Sequence, residues 1–144
     1  MPTLPSVNDL RARVRGWLQR EPKVITPRSI LIVDGDAAHR DSTARLVESL
    51  GFQALRTPSI AKAITQLEDP DLEPEFVLLA FDLADAKGLD ALAQIRALDP
   101  DLPVIMLAAD LWDIRVQEAM RRGAIAYLPR PFGADDLREL LGRR

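Results

Sequence analysis

The 144-residue chain contains no cysteine. That excludes a disulfide framework, a thiolate metal site and a cysteine nucleophile, and it suits a reducing compartment. There is one histidine, His39. It has no His or Cys partner for a metal cluster and no Ser-His-Asp spacing around it, so a surface or capping role is the simple reading. Glycine is sparse, at seven residues. Asp34-Gly35-Asp36 holds one of them, too few for a dinucleotide-binding fingerprint. No apolar run approaches the ~20 residues that span a bilayer. The opening Met-Pro-Thr-Leu-Pro lacks the charged stretch and apolar core of a signal peptide. The expectation is a soluble, cytoplasmic protein with no membrane span.

What is present suits a folded globule. The chain is 47% hydrophobic and long enough for one domain that buries a core without staples. Its net charge of −3 is unevenly spread. Residues 1–28 carry six cations (Arg11, Arg13, Arg15, Arg20, Lys23, Arg28) against Asp9 and Glu21, a net of +4, which leaves −7 for the remainder. This marks a basic appendage on an acidic domain. The appendage either docks on its own domain or is steered toward an acidic partner, a membrane surface or nucleic acid.

The appendage, residues 1–27, reads as an amphipathic helix over 6–20 and a linker bracketed by Pro22 and Pro27. Ser6 or Asn8 caps the helix, and Leu10, Val14, Trp17 and Leu18 share one face. Gly16 weakens it by ~1 kcal/mol relative to Ala, so the stripe needs a surface to pack on. The domain, residues 28–144, alternates. Apolar strands are expected at 29–33, 52–56, 76–81, 103–107 and 125–128. Helices are expected at 37–50, from Pro58 to about 68, at 89–98, from Asp110 to about 122, and at 134–141. Strands apolar on both faces, separated by helices, predict a parallel α/β sandwich.

Three loops then converge at the carboxyl edge of the sheet, where open α/β folds place their ligands: Asp34-Gly35-Asp36, Ala80-Phe81-Asp82 and Ala108-Ala109-Asp110. Pro129-Arg130-Pro131-Phe132 joins them. With Ile30-Leu-Ile-Val-Asp34, the Val77-Leu-Leu run followed by Gly88-Leu89, Pro103-Val-Ile-Met-Leu107 and Gly123-Ala124 before Tyr127, these words come in one order at successive strand ends. Over about residues 28–142 the chain resembles the receiver domain of two-component response regulators. The resemblance implies a flavodoxin-like doubly wound (βα)5 sheet with strand order 2-1-3-4-5, to which the N-terminal helix is extra.

In that family an aspartate ending the third strand accepts a phosphoryl group, and two acids after the first strand hold Mg²⁺. A Ser or Thr after the fourth strand and a Lys after the fifth bind the phosphoryl oxygens. Phosphoryl transfer needs such a nucleophile, with cations to offset phosphate charge. Here the acceptor position is Ala80, the acidic pair is Asp34 and Gly35, the hydroxyl position is Ala108, and the lysine position is Arg130. One such change could be an engineered inactivation; four together read as degeneration. No catalytic residue, cofactor or metal is therefore expected. A weak divalent site from Asp34, Asp36 and Asp82 competes with the simpler reading of solvated loop carboxylates. Asp34 and Arg130 are expected to pair across the emptied pocket.

Function then moves to the surface. The family's usual output and dimerisation face is built from the fourth helix, fifth strand and fifth helix of the domain. Trp112, Val116 and Tyr127 are expected to form an apolar patch there, with Ile114 and Ala119 turned inward. Tyr127 matches an aromatic that rotates with the hydroxyl-bearing loop; with Ala108 it should keep one rotamer. The leading expectation is a non-enzymatic, phosphorylation-independent signalling adaptor. It would contact another signalling protein, or pair as a homodimer through that face or the N-terminal helix. Two alternatives stand: a sensor of an anionic nucleotide or second messenger, and a conventional regulator phosphorylated on a nearby acid. No nucleic-acid partner is expected of an acidic domain with no helix-turn-helix module after it.

Overall fold

The computed structural model describes residues 4–18 and 28–141, the side chains of residues 16–18 excepted. The linker expected between Pro22 and Pro27 lies outside the described residues. Helix α1 (Val7–Leu18) opens on a reciprocal cap. The Ser6 hydroxyl accepts the Asp9 N–H and the Asp9 carboxylate accepts the Ser6 N–H, each at 3.1 Å. Strands and helices then alternate: β1 (Ser29–Val33), α2 (Ala37–Ser49), β2 (Gln53–Thr57), α3 (Ile60–Glu68), β3 (Phe76–Ala80), α4 (Gly88–Leu98), β4 (Val104–Ala108), α5 (Arg115–Arg121), β5 (Ala126–Pro129) and α6 (Ala134–Leu141).

All strand pairs are parallel, in the order β2-β1-β3-β4-β5. This is the expected flavodoxin-like arrangement. Strand alternation sorts the core into two layers. Ile30 and Ile32 face Ala44 and Val47 of α2 and Leu137 of α6. Leu31 and Val33 face Ile60 of α3, Leu92 and Ile95 of α4 and Val116 of α5.

Helix α1 packs on its own domain. Leu10 and Val14 are fully buried in the layer with α2 and α6, each contributing about 1.5–3 kcal/mol by leaving water. Arg11 pairs with Glu139 of α6, and Arg13 donates to the Ile125 carbonyl oxygen at 3.3 Å. This corrects the assignment of Leu10 and Val14 to an interaction surface: the chain's own core takes them. The side chains of Trp17 and Leu18, assigned with them, lie outside the described residues.

A second correction concerns the segment after β4. The expected helix from Asp110 begins five residues later, at Arg115, because two aspartates hold the backbone in turns first. Asp110 Oδ1 accepts the Trp112 N–H at 2.8 Å. Asp113 accepts the N–H groups of Ala109 (2.9 Å) and Arg115 (3.1 Å). Such side chains compete with helical bonding. The shifted start reverses two neighbours. Val116, expected on the surface patch, is buried, and Ile114, expected inward, is exposed. Ala119 is buried as expected.

Candidate functional site

The loops after β1, β3 and β4 and the segment after β5 surround an open cleft of about 740 Å³ at the carboxyl edge of the sheet. Ala80 ends β3 and contributes a methyl group to its lining, while Ala108 ends β4 fully buried beside it.

Asp34, next after β1, is nearly fully buried, and the cation it needs comes from the segment after β5. Arg130 Nη2 donates to its Oδ2 at 2.6 Å, so the expected pair is formed. The other oxygen, Oδ1, accepts the Asp36 N–H at 2.9 Å, and the Asp34 carbonyl oxygen accepts from Arg40 at 2.9 Å. Arg130 also reaches His39, with Nη1 2.9 Å from Nδ1. A guanidinium only donates, so Nδ1 is the acceptor and the imidazole proton sits on Nε2. Asp34, Arg130 and His39 thus close a network bridging two loops.

The other acids are occupied separately. Asp36 caps α2, accepting the His39 N–H at 2.9 Å, and that bond holds its carboxyl below the usual range. Asp82 is largely exposed and stands 3.6 Å from Arg115. Asp34, Asp36 and Asp82 line one cleft but do not converge. Among the described residues no three His, Asp or Glu side chains are placed to hold a metal ion. Asp85 caps α3 across the fold, its two oxygens accepting the N–H groups of Ile60 (2.9 Å) and Ala61 (3.1 Å), which lowers its pKa.

The loop carrying Asp82 is also pinned to Gly35. The Gly35 N–H donates to the Asp82 carbonyl oxygen at 3.1 Å. A Cβ at position 35 would lie 2.9 Å from that oxygen and 3.0 Å from the Leu83 backbone. Any side chain there must push the loop away. Gly88, opening α4, is tighter still: a Cβ would come within 2.5 Å of the Ala80 carbonyl oxygen.

Arg115 lines the same cleft as Arg130. Its Nε and Nη2 each lie 2.9 Å from a different oxygen of the buried Asp113 carboxylate, a bidentate pair, and the guanidinium stacks 4.4 Å from the Phe81 ring centre. The hydrogen bonds from Arg115, reinforced by two backbone N–H groups, pull the Asp113 pKa down to about 2.

Of the surface residues expected from the sequence, Trp112 is exposed, whereas Tyr127 is half-buried between the two apolar layers. Sequence reasoning missed the roles of His39 and Arg115 as partners at the cleft and of Asp85 as a cap on α3. The repeated aspartate in Asp110-Leu-Trp-Asp113 was a readable turn signal. Asp85 gave none, since its partners lie 24 and 25 residues away.

A sequence model of the response regulator receiver domain matches residues 30–142. The chain is 32% identical over 117 residues to the acid tolerance regulatory protein ActR of Rhizobium meliloti, covering 81% of this chain and 59% of that protein. It is 32% identical over 113 residues to the DNA-binding transcriptional regulator NtrC of Azospirillum brasilense, covering 78% of this chain and 22% of that protein. The chain therefore spans less than two thirds of either relative. Among solved structures, a CheY-like receiver domain protein of Methanospirillum hungatei superposes with a TM-score of 0.70 at 26% identity, covering 79% and 90% of the two chains. NtrX of Brucella abortus gives 0.70 at 30% identity, covering 78% of this chain and 25% of that one.

Proposed function

The chain belongs to the response regulator receiver domain family, and on that premise we propose that it serves two-component signalling without accepting a phosphoryl group, acting by contact with another signalling protein. The observation that carries this reading is Ala80. The strand end that presents the family's acceptor carboxylate ends here in a methyl group, beside an aspartate whose two oxygens are both bonded within the chain.

Three further features support it. Ala108 offers no hydroxyl for a phosphoryl oxygen. Arg130 keeps a positive charge at the lysine position but spends it on Asp34 and His39. Of the nearby acids, Asp85 is engaged at both oxygens as a helix cap, and Asp82, on the cleft lining, stands 3.6 Å from the Arg115 guanidinium. The divalent cation that the family implies does not fit these residues. Asp34 has no free oxygen, position 35 has no side chain and no room for one, and Ala80 supplies no ligand. The guanidinium of Arg130 already balances the buried charge. With no phosphoryl group to move Tyr127 or its neighbours, the module presents one preset surface, and signalling depends on which partner is present.

The test is intact mass after incubation with acetyl phosphate and Mg²⁺. The expected spectrum shows the unmodified chain. A labile adduct of one phosphoryl group would overturn the reading.

A further inference from the structure

Leu111, Trp112 and Ile114 are 65%, 81% and 89% exposed, three large apolar side chains within four consecutive positions. The other exposed large hydrophobics among the described residues, Val7 and Leu98, stand singly on α1 and α4. Isolated exposed residues are ordinary, whereas a cluster marks an interaction site.

The loop that carries the cluster is not slack. The Asp113 carboxylate, buried to 4% exposure, ties together the N–H groups at both ends of the turn and the Arg115 guanidinium. The Asp113 N–H in turn reaches the Asp110 carbonyl oxygen. The apolar side chains are therefore displayed from a preformed frame, which removes much of the ordering cost of binding.

The exposed carboxylates beside the cluster are Asp110, in the loop, and Asp82, against it. The Asp113 carboxylate is buried and paired with Arg115, which also stands 3.6 Å from Asp82, and Lys87 lies across a backbone bridge from Asp82, so the rim is acidic by a small excess. Arg121 and Arg122 lie at the far end of α5, where both share Glu118.

We propose that the Leu111–Trp112–Ile114 loop docks a segment of a partner protein that presents an apolar side chain flanked by Lys or Arg. The proposal rests on the contact-mediated reading above and names the chemistry of its partner. The acidic rim selects among occupants. Two copies of this chain meeting symmetrically over the loop would set Asp82 and Asp110 against like charges. An anionic membrane surface would be repelled for the same reason. The chain's own basic helix is committed to α6 and β5. A partner cation meets Asp82 and Asp110, and its apolar neighbour packs on Trp112, the residue type that most often dominates binding energy.

The Trp17→Phe full-length chain keeps Trp112 as its single tryptophan reporter. It is titrated with two synthetic peptides of equal length and leucine content, one Leu/Lys and the other Leu/Glu. The Leu/Lys peptide is expected to bind about tenfold or more tighter, to shift Trp112 emission, and to weaken as salt rises. Ile114→Ser should abolish the shift, and Asp82→Asn with Asp110→Asn should bring the two peptides to equal affinity while leaving the turn at Asp110 in place. Equal or absent binding of the two peptides overturns the proposal. So does a Leu/Lys interaction indifferent to Ile114→Ser, tighter binding to phosphatidylserine vesicles, or concentration-dependent dimers in light scattering that Trp112→Ser dissolves. The titration uses unphosphorylated protein, so its failure is separate from the appearance of a phosphoryl adduct, which tests the reading beneath it.

Discussion

Across the cleft, Asp34 and Arg130 satisfy each other, His39 takes up the spare guanidinium donor, and Gly35 lets the neighbouring loop close to backbone contact. A few residues away on the same sheet edge, the loop after β4 does the reverse. Its polar groups are satisfied inwardly through Asp110 and Asp113, and its apolar side chains stand in water. The first region is an open cleft whose buried charge is satisfied within the chain; the second is a framed loop whose apolar side chains are uncovered. Both lie at the carboxyl ends of the strands, so a cleft whose charges are paired within the chain and a loop whose apolar side chains are unpaired stand side by side on one edge of the sheet.

The sharpest way to break this contrast is Arg130→Ala. It strands the buried Asp34 carboxylate without a cation, and a loss of about 3 kcal/mol in urea unfolding is expected. An unchanged midpoint would mean that this pair does not hold the loop after β1 to the segment after β5. Next in size is Gly35→Asp, which drives a Cβ into the 82–83 backbone; about 2 kcal/mol of destabilisation is expected. Ala80→Asp alone should restore a carboxylate without restoring chemistry. An acetyl phosphate adduct on that single variant would show that the paired Asp34 and Arg130 still support phosphoryl transfer.

A smaller effect separates the second region by pH. Asp113 titrates at about 2 in the folded chain against about 3.9 when unfolded. Its contribution to stability is therefore complete above about pH 4 and disappears as pH falls through 2. Protection of the Ala109 and Arg115 amides, taken relative to their intrinsic exchange rates at each pH, should fall over that interval, since Asp113 accepts both N–H groups. Ile114→Ser should do least to the fold, within about 0.5 kcal/mol, because the side chain touches mainly solvent. A larger cost would mean that the cluster has a structural task.

The cleft was legible in the sequence because its residues sit at fixed offsets from apolar strands. Once β1 ends at Val33 and β5 at Pro129, Asp34 and Arg130 have little choice but to face each other. The stripe of α1 was legible as needing a surface, but not which one, since Leu10 and Val14 fit any apolar wall. The loop after β4 was misread for a local reason. Apolar spacing over 110–122 looks helical, yet two short carboxylates capture the backbone first and move the helix start by five residues. That exchanges the fates of Ile114 and Val116. The clamp from Asp85 to α3 was invisible because only the tertiary fold brings its partners together.

The close approach at Gly35 makes position 35 and the 82–83 backbone a single unit. A carboxylate placed there would need a loop movement as well as the substitution itself, so restoring a second acid after β1 is a change of two segments and not of one side chain. Substitution is therefore expected to be tolerated far more readily in the exposed Trp112 loop than at Gly35.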